Sequence, residues 1–76
     1  MDKKVVIYTS LTCPYCELAK EYFAKNEIKY EEKSTTVPEN RKKLMEIGVR
    51  TVPTIFVDDE YMVGFEEEEF EALYNK

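Results

Sequence analysis

Histidine is absent from this 76-residue chain. With it goes the usual general base near neutral pH, so any chemistry must run on cysteine, tyrosine, carboxylate or backbone groups. Cysteine is scarce, at two residues. Two are too few for the disulfide framework of a small secreted domain. Basic residues (11) are outnumbered by acidic ones (16), for a net charge of −5, and no basic arm or patch stands out. Nucleic acid and anionic membrane are therefore not expected partners. Long apolar runs are missing as well. The longest, Val5 to Tyr8, is far too short to cross a bilayer. The opening "MDKK" is no signal-peptide pattern, which makes the cytoplasm the expected address.

What is present is ordinary for a globular domain: 43% hydrophobic and 36% charged residues. The length predicts one domain, 1–76, with a modest core. There is no repeat and no low-complexity linker. The acidic run "EEEEF", Glu66 to Phe70, is the one strong local bias.

Val5 to Tyr8 is continuous, apolar and β-branched, as in a buried strand. Pro14 suits the first turn of a helix, where its missing N–H costs nothing. Cys16, Ala19, Tyr22 and Phe23 then recur at helical spacing, and Asn26 is expected to end the helix. "IKYEE", Ile28 to Glu32, alternates as a half-exposed strand does. "TVPE", Thr36 to Glu39, reads as a capping box, with Thr36 capping and Glu39 reaching back. That helix is expected to reach Ile47, with Leu44 and Ile47 inward and Gly48 as its left-handed stop. "TIFV", Thr54 to Val57, is a third strand; "DDE" is a turn; "YMV", Tyr61 to Val63, returns as a short fourth strand. After Gly64 the last helix begins near Glu66 and buries Phe70, Leu73 and Tyr74. Glutamates in its first turn complement the helix dipole. The order β-α-β-α-β-β-α predicts an α/β fold: a four-stranded mixed sheet with helices on both faces, parallel in its first half and closed by an antiparallel hairpin.

Both cysteines fall in "TCPYC", at a strand-to-helix junction. With Cys13 at the N-cap and Pro14 at the first helical position, the Cys13 sulfur would face free N–H groups, those of Tyr15 and Cys16. Those donors and the positive end of the helix dipole favour thiolate over thiol. A free cysteine has a pKa of about 8.5, and each unit of lowering corresponds to about 1.4 kcal/mol. Cys16, one turn further on the apolar face, would stay protonated. Cys13 is then the attacking sulfur and Cys16 the resolving one. A structural staple of this span would constrain the unfolded chain little. Zinc needs four ligands, and this pair supplies two. Spacing and context put redox chemistry ahead of metal binding.

"TCPYC" after a first strand, together with "RTVPTIFVDDEYMVGF" near the C-terminus, resembles the small bacterial glutaredoxins over nearly the whole chain. The resemblance implies the thioredoxin fold, a cis peptide bond between Val52 and Pro53, a monomer, and glutathione as reducing co-substrate, with no metal. It implies thiol–disulfide exchange on protein disulfides and on glutathionylated proteins. A cis Pro53 would leave the Val52 N–H and C=O free to pair with an extended peptide, like an added strand; alternatively Pro53 merely starts the third strand.

Carried over by position, Tyr15 would flank glutathione, and Thr51 and Val52 would hold its cysteinyl backbone beside Pro53. Arg50, helped by Asn40 or Arg41, would face the glycyl carboxylate. The N–H groups at Phe65 and Glu66, after Gly64, would take the γ-glutamyl carboxylate, and Glu66 or Glu67 the γ-glutamyl ammonium. Glu68 and Glu69 read as solvated.

The chain departs from the family pattern twice. Ser10 stands where many members carry lysine, with Lys20 a poor substitute, and Val63-Gly64 replaces a Gly-Gly pair. Phe65 after Gly64 is instead similar to redoxins that take electrons from thioredoxin reductase and feed ribonucleotide reductase. A third reading is a dimeric module holding an iron–sulfur cluster through Cys13 with glutathione.

Overall fold

A computed structural model describes residues 3–11 and 13–75. Strand β1 (Val5–Thr9) leads into helix α1 (Pro14–Lys25), strand β2 (Glu31–Ser34), helix α2 (Pro38–Glu46), strands β3 (Thr54–Val57) and β4 (Glu60–Val63), and helix α3 (Glu67–Tyr74). The sheet order is β2-β1-β3-β4. β1 pairs with β2 in parallel, and the β1–β3 and β3–β4 pairs are antiparallel. The expected element order and mixed sheet are both present.

Side chains of a strand alternate between faces, and the core divides accordingly. On one face Val5, Ile7, Ile55, Val57 and Met62 pack with Ala19 and Phe23 of α1 and Phe70 of α3. On the other, Tyr8 packs with Leu44 of α2 and with Val49. Helices thus cover both faces. A small core depends on its largest members, and Phe23 and Phe70 are completely buried.

Three local expectations are corrected. The second strand begins at Glu31, not Ile28. Helix α1 closes with a Schellman motif: the Ile28 amide donates to Phe23 O (2.8 Å) and the Glu27 amide to Ala24 O (3.2 Å), with Glu27 at φ 55°. Residues 27 and 28 serve that stop, so strand pairing starts later.

The capping box at Thr36 does not form. Pro38 occupies the first helical turn, which makes Val37 the cap, and Val37 has no side chain for the role. The Thr36 hydroxyl instead shares a 2.8 Å hydrogen bond with that of Ser34.

Finally, α2 ends at Glu46, and Ile47 is its exposed C-cap rather than a core residue. Gly48 is the expected left-handed stop, at φ 78°. The Val49 amide then reaches back to Leu44 O at 3.0 Å and the Gly48 amide to Met45 O at 3.0 Å. This second Schellman motif tucks Val49 against Leu44 and so aims the segment Arg50–Pro53 that follows.

Candidate active site

Cys13 is the N-cap of α1, in extended backbone conformation (φ −144°, ψ 94°) with Pro14 beginning the helix. Its carbonyl accepts from the amides of Cys16 (3.1 Å) and Glu17 (3.3 Å). Its sulfur accepts from the Cys16 amide at 3.2 Å. The Tyr15 amide, also expected at this sulfur, makes no such bond among the described residues. Cys13 is half-buried, whereas Cys16 is 1% exposed. The two sulfurs are joined as a disulfide across a Cα–Cα separation of 5.2 Å, so the pair is in its oxidised form. The inequality between an amide-facing outer sulfur and an enclosed inner one is present in the backbone.

Tyr15, between the cysteines, is 62% exposed and so no core residue. It forms one wall of a groove of about 360 Å³ that continues over Thr51, Val52, Pro53, Val63, Gly64, Phe65, Glu66 and Glu69. The Val52–Pro53 peptide bond is cis. Two bonds tie the neighbours of Val52 down. The Thr54 hydroxyl donates to Thr51 O at 2.8 Å, and the Gly64 amide to Pro53 O at 2.6 Å. The N–H and C=O of Val52 find no partner among the described residues, and neither do the amides of Phe65 and Glu66. A strand-like edge one residue long is thus left open beside the cysteine turn.

Val52 also borders a second cavity, of about 370 Å³, with Ser10, Thr35, Arg41, Leu44, Met45, Val49 and Arg50. Arg41 and Arg50 are exposed and have no acidic partner within 4 Å among the described residues.

Of the residues singled out from sequence, Tyr15, Thr51, Val52, Pro53, Gly64, Phe65 and Glu66 share the groove, and Arg41 and Arg50 share the adjoining cavity. Two lie elsewhere. The Asn40 side-chain Nδ2 donates to Ser34 O at 2.8 Å, pinning α2 to β2. Glu67 borders a separate depression with Leu18, Glu21, Tyr22, Lys25 and Phe65. Glu69, read from sequence as solvated, is exposed and also borders the groove. Positions three apart share a helix face while the next residue turns away, so the spacing from Glu66 to Glu69 was the available signal.

Lys20 is engaged by two carboxylates. Its ammonium bridges Glu17 (3.1 Å) and Glu32 (3.3 Å), contacts that raise its pKa, with Glu17 the larger influence. Glu32 also accepts from the buried Thr9 hydroxyl at 2.9 Å. That bond, with help from Lys20, holds the Glu32 carboxyl below its ordinary range against a partial desolvation that acts the other way. Among the described residues no group of three His, Cys, Asp or Glu side chains could hold a metal ion, and no helix is long and apolar enough to cross a membrane.

A glutaredoxin family model matches residues 5–62. Glutaredoxin 1 of Rickettsia prowazekii is 38% identical over 64 residues, covering 79% of this chain and 67% of that protein. The glutaredoxin-like protein NrdH of Lactococcus lactis is 31% identical over 70 residues, covering 91% and 97%. A crystal structure of a thioredoxin-like protein superposes with a TM-score of 0.83 at 30% identity, over 91% of this chain and 97% of that one.

Proposed function

Since the chain belongs to the glutaredoxin family and carries a Cys13–Cys16 dithiol on a thioredoxin-like fold, we propose that it is a thiol–disulfide oxidoreductase that draws its electrons from glutathione. The observation that carries the reading is the Cys13 sulfur at the helix N-cap, accepting the Cys16 amide, two residues before Tyr15, which lines a groove whose Val52 backbone is unpaired among the described residues. In the reduced protein the same amide and the helix N-terminus favour the Cys13 thiolate. The thiolate attacks one sulfur of a substrate disulfide. A bond forms from Cys13 to that sulfur, and the other half leaves as thiolate. Cys16 then loses its proton to solvent and attacks Cys13, releasing the reduced substrate and closing the Cys13–Cys16 disulfide. Two glutathione thiols return the pair to the dithiol. When the substrate is a glutathionylated protein, Cys13 takes the glutathione, a second glutathione removes it, and Cys16 is not needed.

The two cavities that meet at Val52 suit an extended tripeptide. Val52 would hold the cysteinyl unit. Arg50 and Arg41 would meet the glycyl carboxylate. The Phe65 and Glu66 amides would meet the γ-glutamyl carboxylate, with Glu66 or Glu69 near its ammonium. Glutaredoxins sit at about −200 to −230 mV, close to glutathione pools, so exchange runs in both directions.

One observation favours a second donor. Two glutamates and no cation line the groove itself, a poor setting for an anionic tripeptide, and the NrdH-type relative matches at almost full length. In that reading thioredoxin reductase reduces the pair and ribonucleotide reductase is a recipient. Turnover of a glutathionylated peptide with glutathione and glutathione reductase, against turnover of a protein disulfide with thioredoxin reductase, separates the two. Sustained glutathione-driven turnover supports the first reading; activity with thioredoxin reductase alone replaces it with the second.

A further inference from the structure

We propose that the site selects protein substrates by the direction of charge around the reacting cysteine, preferring a basic residue on its N-terminal side and an acidic residue on its C-terminal side. The proposal rests on the reading of Cys13 as nucleophile and Val52 as the docking residue, and names the substrate class they serve.

The direction follows from hydrogen bonding. The N–H and C=O of Val52 are open while its neighbours' carbonyls are engaged, that of Thr51 by the Thr54 hydroxyl and that of Pro53 by the Gly64 amide. One residue exchanging both bonds with one opposing residue is the antiparallel pattern. A substrate strand docked there runs against the chain direction. Its C-terminal side lies over Thr51 and Arg50, and its N-terminal side over Pro53 and the segment that Gly64 joins to it.

The charges at the two ends are opposite and unspent. Upstream of Val52 the cavity carries Arg41 and Arg50 and no acidic residue. Downstream the groove carries Glu66 and Glu69 and no basic residue. None of the four has an ion-pair partner within 4 Å among the described residues, and all four are exposed. Because Val52 borders both spaces, one short extended segment spans both ends. The substrate's sulfur chemistry is unchanged: a Cys13–substrate bond forms, the substrate disulfide breaks, and the departing thiolate carries away the electron pair. What the charges alter is how often a segment docks in register. Exposed pairs are individually weak, so two matched pairs against two mismatched ones should discriminate by roughly fivefold at low salt.

The test uses two peptides of identical composition and zero net charge, so that the overall field of the protein cannot distinguish them. One reads Lys-Lys-Ala-Cys-Ala-Glu-Glu and the other Glu-Glu-Ala-Cys-Ala-Lys-Lys. Both have blocked ends, and the cysteine of each is held as a disulfide with a chromophoric thiol. The second-order rate of chromophore release by the reduced protein is measured for each and for an all-alanine control. The expected result is a faster reaction with the Lys-first peptide. The ratio should fall toward one at about 1 M salt, where screening acts within about 3 Å, and in the Glu66→Gln/Glu69→Gln variant, whose changes fall at exposed positions, the N-cap and the first turn of α3. Equal rates, a Glu-first preference, or a ratio indifferent to salt and to the variant overturns the proposal while leaving Cys13 as the nucleophile. Failure of all three peptides, the control included, removes the underlying reading as well.

Discussion

The Cys16 amide points at the Cys13 sulfur from 3.2 Å, so the residue that would resolve the reaction also supplies the hydrogen bond that prepares its partner. The donor is a backbone group, and a side-chain change at Cys16 leaves it in place. Cys13→Ser should therefore abolish all exchange chemistry. Cys16→Ser should retain deglutathionylation within a fewfold while losing most reduction of protein disulfides. Parallel steady-state assays on the two substrate types check this. Equal loss in both assays for Cys16→Ser would show that the inner sulfur does more than resolve.

Gly48 sits at φ 78° with nothing within 4 Å of where a Cβ would stand. The cost of Gly48→Ala is then confined to the backbone, roughly 1–2 kcal/mol for a left-handed non-glycine residue. Chemical denaturation should show that loss. Because this turn aims Arg50 through Val49, the KM for glutathionylated substrate should rise more than kcat falls. An unchanged stability would mean that the stop of α2 is not held as described.

Much of this was legible from the sequence. The apolar run Val5–Tyr8, Pro14 after Cys13, and Gly48 after Leu44 each impose a local rule that tertiary context did not override. The misreadings have physical causes. Thr36 looked like a cap because the pattern Thr-x-x-Glu was intact, but Pro38 shifted the helix start by one residue. Ile28 looked like strand because it is apolar and alternates, yet it belongs to the closure of α1. Asn40 was misplaced because the helical wheel, not proximity in sequence, decides which way its side chain faces. That Val52 would face two cavities of opposite charge depends on its lying between α2 on one side and the β4–α3 connection on the other, and no local pattern encodes that.

Tyr22 donates its hydroxyl to Glu71 at 2.9 Å and so links α1 to α3. Its pKa is pushed up to about 12, first by burial and then by Glu71, with a smaller push from Glu67. A pKa raised above the ordinary value near 10 means that the folded state favours the protonated phenol. The associated stability is fully present below pH ~10 and is lost as pH climbs toward 12. Ultraviolet titration of the six tyrosines should show one ionising late, and Tyr22→Phe should delete that late component. Loss of an early component instead would contradict the assignment.

Glu32 gives the opposite pH signature. Its carboxyl is held low, chiefly by the Thr9 hydroxyl, so its contribution to stability is present at neutral pH and declines as pH falls below the ordinary carboxylate value of 4.5. The group is part-exposed, which keeps the effect small, under about 1 kcal/mol. Thermal melts of Glu32→Gln should lie below the parent at pH 7 and converge with it in strong acid. A gap that persists unchanged at pH 2 would mean that the Thr9–Glu32–Lys20 chain acts through packing rather than charge.

The thiolate at Cys13 is the step on which the proposed chemistry turns, and it can be read directly. Ultraviolet absorbance of the reduced protein near 240 nm, titrated against pH with Cys13→Ser as the blank, reports that sulfur alone. The N-cap geometry predicts a midpoint at least two units below the roughly 8.5 of free cysteine, so that the thiolate predominates at neutral pH. A midpoint at or above that of free cysteine would contradict it.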